Sequence, residues 1–266
     1  MSTRRTADGL TFDHGAQYFT ARDPAFVAEV QTWAEAGVVA LWQGSIAVAE
    51  AGAVNAERAP TQRWVGQPTM SSVARHLERG LEVQTGRRVG KAAREGSTWS
   101  LLDEHGSPLG RFAKLVIAIP SGQAVALLAD APALAQRAAE VEMDPCWAAM
   151  VRFEGQPAIE ASGLFVHGSA LGWAAHDGSK PGRPGASTWV LHATPSWTRE
   201  HWDSAPEWVI AQLVATLRDA TGIDLPQVAD ASAHRWRYAR ADAPTAERVL
   251  VDEAQGVAVC GDWCGG

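Results

Sequence analysis

Cysteine is scarce: the 266 residues carry three, Cys146, Cys260 and Cys264. An odd number at these separations, with no C-x-x-C, supplies neither a disulfide framework nor a zinc site, and fits a reducing, cytosolic setting. Positive charge is also short, with 23 Lys and Arg against 30 Asp and Glu, a formal net charge of −7. Binding to a phosphate backbone uses a basic footprint, so nucleic acid is not an expected partner. No apolar run is long enough for a membrane helix, which needs about 20 residues. The most apolar stretch, Leu115 to Ala129, is interrupted at Pro120, Ser121, Gly122 and Gln123. The opening Met-Ser-Thr-Arg-Arg-Thr-Ala-Asp has no apolar segment of the kind a secretory signal carries. Tyrosine (2) and phenylalanine (6) are few, whereas tryptophan reaches 12, so most indoles must pack rather than hold ligands. No G-x-S-x-G elbow completes a triad around Asp13 and His14, and His167, His176 and His192 match no metal-binding helix pattern, so no metal is expected.

The length suits one large or two interleaved domains, able to bury about three quarters of the unfolded surface. Asp23 as cap, Pro24, the spaced Phe26, Val30 and Trp33, and Gly37 as stop predict a helix. A second is expected from Thr69 to Gly80, with Met70, Val73 and Leu77 on one face. A third opens on a Ser204-x-x-Glu207 capping box, with Val209, Ile210, Leu213, Val214 and Leu217 before Gly222. Strands are expected at 38–42, 81–84, 99–102, 115–119, 148–153, 171–175, 188–192 and 257–260. Helices and strands do not alternate regularly, which speaks against a single doubly wound sheet. Leu115–Ile119 and Val257–Cys260 are continuously apolar, as in strands covered on both faces. Each runs into a sharp turn, and such turns at strand carboxyl ends are candidate cofactor sites. The other strands predict an antiparallel second domain. Gly178 to Gly185 reads as a loop.

Three segments carry chemistry. In Val257-Ala-Val-Cys-Gly-Asp-Trp-Cys-Gly-Gly266 the glycines let backbone N–H groups approach a phosphate, and Asp262 can accept from sugar-like hydroxyls. An ordinary glycine-rich turn with a surface Asp is the plain alternative. In Phe12-Asp-His-Gly-Ala-Gln-Tyr-Phe-Thr20, Gly15 permits close approach and Gln17 offers a donor and an acceptor to a heterocycle edge. The alternating His234-Arg-Trp-Arg-Tyr238 places His234, Trp236 and Tyr238 on one strand face, a wall suited to a flat ring, or else core packing with solvated arginines.

Together with Ser2–Arg5, Trp64–Met70 and Leu115–Pro120, these blocks resemble, in order and over essentially the whole chain, bacterial renalase-like flavoproteins of the FAD-dependent amine oxidase superfamily. The resemblance implies an α/β protein (an α+β mix) with a glutathione-reductase-like FAD-binding domain and an antiparallel-sheet substrate domain. Residues 1–20, 67–130 and 246–266 would form the first, and 21–66 and 131–245 the second. It implies non-covalent FAD, approached by Arg4, Gln17, Tyr18, Pro68 and Met70. The 83–89 segment with Val89 would lie at the adenosine end, and Gly261, Asp262, Cys264 and Gly265 at the polyol and pyrophosphate. His234, Trp236 and Tyr238 would line the substrate pocket. The implied activity is hydride transfer from a small reduced, dihydronicotinamide-like substrate to FAD, with O2 as acceptor. An amine oxidase, a desaturase and a non-catalytic fragment are the alternatives. The family's G-x-G-x-x-G is absent here, so the FAD domain is expected to be incomplete, the chain truncated at both ends and inactive as it stands.

Overall fold

The structure, a computed structural model, describes residues 1–59 and 61–265. The chain divides into two compact units, one of residues 1–81 and 146–236, the other of residues 82–145 and 237–266. The cofactor and substrate segments expected above have different boundaries from these units.

The first unit is built on a seven-stranded sheet in the order Val228–Ala241, Met143–Phe153, Thr188–Ala193, Leu171–His176, Gly163–Val166, Ile46–Glu50, Ala53–Ala56. Between Met143–Phe153 and Ala53–Ala56 the pairings are antiparallel except one, where Gly163–Val166 runs parallel to Ile46–Glu50. Trp189, Leu191, Leu164 and Ala174 lie in the fully buried core on one side of the sheet, against Val209, Leu213 and Leu217 of the helix Pro206–Thr221.

That helix corrects the capping-box expectation. It starts at Pro206 with Ala205 at the cap and no side-chain cap bond. Proline has its φ preset and no N–H to satisfy, so it takes the first helical position and leaves Ser204 outside. The end is as expected, Gly222 at φ 69° with its N–H donating to the Arg218 carbonyl at 2.8 Å. The helix Pro24–Glu35 matches its signals: the Asp23 carboxylate accepts from the Ala25 and Phe26 amides, and Val30 and Trp33 are buried. The next helix is shorter than expected, Ser71–Leu77. Met70 and Val73 are buried but Leu77 is exposed, so no third apolar contact holds a further turn. Residues 81–84 form no strand, since exposed Leu81 and Val83 have no surface to bury against.

The second unit contains the antiparallel meander Val89–Glu95, Thr98–Asp103, Pro108–Phe112 and a sheet in the order Leu115–Ile117, Val257–Val259, Leu250–Asp252. Leu115–Ile117 and Val257–Val259 are parallel, Leu115 opposite Val257. The helices Ser121–Leu127 and Pro132–Ala139 pack over Trp99, Ile117, Leu128 and Trp263. One expectation fails: Leu115–Ile117 is covered on one face only, with Val116 64% exposed. Successive side chains of a strand point to opposite sides, so Ile117 enters the core while Val116 points away from it.

Candidate functional site

In the first unit the short strands Arg4–Arg5 and Thr11–Phe12 pair and deliver the chain into the loop that begins at Asp13. His14 is buried, and its ring lies 5.2 Å edge-on from His234 and 5.2 Å from Trp236, tilted by 31°. His234 and Trp236 are 4.3 Å apart. The strand alternation holds: His234 and Trp236 are partly buried, while Arg235 is exposed and lies against Trp202 and Trp147. The His14 carbonyl accepts from Trp236 Nε1 at 2.9 Å and lies 3.1 Å from His192 Nε2, which can donate to it. A Cβ at Gly15 would stand 3.3 Å from the Ser2 amide and 3.7 Å from the Trp236 ring. The close approach that glycine eases there is to the Ser2 backbone, while the indole stands at ordinary contact distance.

Burial, first of all, pushes the His14 and His234 imidazoles below the usual histidine range. For His14 the neighbouring His234 and Arg4 push the same way, and for His234 Arg4 does. His192 is pushed down to about 4, by burial and then by Lys180 and His14, against the opposing bond to the His14 carbonyl. Three neutral imidazoles and an indole thus form one wall. An imidazole kept neutral binds fewer protons folded than unfolded between its two pKa values. Its contribution is therefore complete above about pH 6.5 and is lost as pH falls toward 4. His192 should cost up to about 3 kcal/mol of stability across that window. Urea unfolding of His192→Gln, which keeps a donor for the carbonyl, should show a flatter acid limb between pH 7 and 4 than the parent. Parallel curves would disprove the coupling.

Beneath this wall is a buried ionic network that sequence reasoning missed. Lys180 has a fully buried side chain, and its Nζ donates to Asp177 Oδ1 at 2.6 Å and Gln17 Oε1 at 3.1 Å. It also lies 3.6 Å from Asp13 Oδ2, which Arg183 engages directly. Arg183 donates further to the Gly66 and Pro181 carbonyls, each at 2.9 Å. Within the glycine- and proline-rich tract read as a loop, the one usable signal was the i,i+3 spacing of Asp177 and Lys180.

The other residues named from sequence fall as follows. Arg4 reaches Ser232 Oγ at 3.4 Å. Gln17 is buried, its amide nitrogen donating to the Asp13 and Gly15 carbonyls. Tyr18 packs with Trp173 and Trp42 under the Arg63 guanidinium. Pro68 is exposed, and Met70 is buried with its sulfur accepting from the Gly66 amide at 3.2 Å.

In the second unit the two turns after the parallel strands are tied together. The Cys260 amide donates to the Ile117 carbonyl at 3.1 Å, and Trp263 Nε1 to the Ile119 carbonyl at 2.9 Å. Gly261 at φ 149° and Gly265 at φ 73° adopt conformations that side chains resist. Asp262 is exposed, whereas Cys264 is buried with its thiol pushed up by burial. A cavity of about 970 Å³ brings Val89 and Tyr238 together with Arg87, Leu101, Val116 and Ile119. Among the described residues no cluster of three or more His, Cys, Asp or Glu could hold a metal ion, and no helix is long and apolar enough to cross a membrane.

The family of flavin-containing amine oxidoreductases matches residues 37–264. The chain belongs to this family. Two solved structures share the fold of this family member. One, from Exiguobacterium sp. 255-15 and provisionally assigned as a protoporphyrinogen oxidase, is 17% identical with a TM-score of 0.61 over 77% of this chain and 49% of its own. The other, cyclohexylamine oxidase from Brevibacterium oxydans IH-35A, is 13% identical with a TM-score of 0.55 over 78% of this chain and 50% of its own. The chain thus spans about half the length of either. The cofactor of the flavin-containing amine oxidoreductases is FAD, and the residues present fit it. Among the described residues His14 Nδ1 is buried without a hydrogen-bond partner, and a polar edge would satisfy it. In the second unit, the cavity lined by Arg87, Val89 and Tyr238 offers a cationic and an aromatic side chain to a nucleotide.

Proposed function

We propose that the chain serves an FAD-dependent oxidoreductase of the renalase-like kind, with a glutathione-reductase-like cofactor fold and a small dihydronicotinamide-like substrate. Residues 1–20, 67–130 and 246–266 would serve the cofactor, and 21–66 and 131–245 the substrate. FAD, when bound, supplies the electron chemistry, accepting a hydride and passing two electrons on to O2.

The neutral wall of His14, His234 and Trp236 carries this reading. Trp236, held by its bond to the His14 carbonyl, offers a flat surface on which a planar ring can be oriented. The cations whose fields reach these imidazoles are Arg4 and Lys180. The nearby carboxylate of Asp13 is already engaged by Arg183. Such surroundings favour an uncharged or anionic reduced ring over an alkylammonium ion. His14 Nδ1 would meet the polar edge of the ring, and Arg87 and Val89 the adenosine end. Gly261, Asp262 and Gly265 would serve the polyol and pyrophosphate, with Cys264 packing beneath them.

A protein that joins this chain to a G-x-G-x-x-G FAD-binding unit, saturated with FAD and mixed without oxygen with reduced nicotinamide, should show bleached flavin absorbance, whereas primary alkylamines should not bleach it. Trp236→Ala should slow that bleaching on the order of a hundredfold, because misplacing the reacting atoms by about 1 Å has that effect. Faster bleaching by alkylamines would replace this substrate class with amines.

A further inference from the structure

The first-unit segments expected to approach FAD each pass within two residues of a group bound to one carboxylate. Asp13 is completely buried. Its Oδ1 accepts from Thr3 Oγ1 at 2.6 Å and from the Met70 amide at 3.0 Å. Thr3 adjoins Arg4, and Met70 closes the Pro68–Met70 segment. Its Oδ2 takes Arg183 and, at 3.6 Å, Lys180, which in turn holds the Gln17 side chain. The backbone of the same residue completes the arrangement: its amide faces Asp177 Oδ2 at 3.4 Å and its carbonyl accepts from Gln17 Nε2. His14, whose Nδ1 is buried with no hydrogen-bond partner among the described residues, is the next residue in the chain.

Stability alone does not call for such a network, since exchanging all of its ionic members together for well-packed carbon is often neutral or favourable. What an apolar side chain cannot do is fix three sequence-distant backbones to one point. A carboxylate can, because its two oxygens offer about four acceptor directions.

We propose that Asp13 is a positioning residue for the flavin ring: through Thr3, Met70, Arg183 and Lys180 it registers the Arg4, Gln17 and Pro68–Met70 segments against His14. This inference rests on the FAD reading above. Asp13 itself makes no contact with the ring on this view and exchanges no proton with it.

The test separates ring from nucleotide. Lumiflavin, which is the ring without ribityl or adenosine, and ADP are titrated separately into the intact chain and into Thr3→Val and Asp13→Asn. Native near-ultraviolet circular dichroism is required of each protein. Thr3→Val deletes one of the carboxylate's bonds and spares its charge. It should weaken lumiflavin on the order of tenfold, the effect of one charge-assisted hydrogen bond. Asp13→Asn should weaken it further. In both, the visible band of lumiflavin at saturation should differ from that of the parent complex, because the ring sits in a different place, while ADP binds as before. A merely structural role would lower affinity and leave the saturated spectrum unchanged, and that result overturns the proposal. So does a folded Thr3→Val protein with parental affinity and spectrum. Should Asp13→Asn not fold, Thr3→Val decides alone. If the parent chain binds ADP but not lumiflavin, the FAD reading of the first unit fails and the proposal with it, an outcome distinguishable because no variant is needed to see it.

Discussion

Lys180→Met is expected to lower the free energy of unfolding by about 3–5 kcal/mol, the usual result of removing one partner from a buried ionic network. Methionine nearly matches the volume, so little of the loss would come from packing. The loss comes instead from Asp13 and Asp177, two fully buried carboxylates left with one guanidinium between them. The same substitution at the exposed pair of Arg111 and Glu95 supplies a contrast within the molecule. There water already solvates both groups, and Arg111→Met should cost less than about 1 kcal/mol. Urea titrations of both variants at pH 7, with unchanged m-values, check the difference. A second substitution, Asp177→Asn, should restore part of the stability lost with Lys180. If Lys180→Met behaved like Arg111→Met, the network would contribute no more than a surface pair.

Trp263→Ala should be comparably damaging in the second unit, about 3–5 kcal/mol for deleting a completely buried indole. It also removes the bond from Nε1 to the Ile119 carbonyl that ties the two strand-end turns together. Trp263→Phe keeps most of the apolar bulk and loses chiefly that bond, so it should cost about 1 kcal/mol for the bond itself. The indole ring also bounds Gly261, where a Cβ would come within 3.1 Å of it. The alanine variant should therefore bind ADP more weakly as the turn loosens, and the phenylalanine variant should not. Equal melting temperatures for the two variants would show that the hydrogen bond, not the packing, carries the effect.

What could be read from sequence was local. Asp23, Pro24 and Gly37 delimit their helix because cap, first turn and stop all act within a few residues. Alternation at 234–238 identified a strand, though it runs from Val228 to Ala241, and at its start the alternating residues Ala229, Ala231 and Ala233 are too small to give a strong apolar signal. Misreadings arose where two local signals competed, as Pro206 did with Ser204, or where apolar residues had nothing to cover them, as at Leu81, Val83 and Val116. The ionic network was beyond such reading. Asp13 meets residues 164 and 170 positions away, and a lysine and an arginine among glycines and prolines look like solvent-exposed loop residues. Asp13 and His14 were visible as a pair, but their division of labour, carboxylate inward and imidazole toward the wall, depends on partners only the fold supplies.

The His14 carbonyl is approached by two N–H groups, from Trp236 and His192. An sp2 oxygen has two lone pairs, so neither is left for water. The peptide plane joining His14 to Gly15 is thereby locked, and the glycine that follows, ordinarily the freest residue in a chain, loses its latitude before any ligand arrives. A ring settling against this loop would have little disorder to remove, and more of its contact energy would remain as affinity.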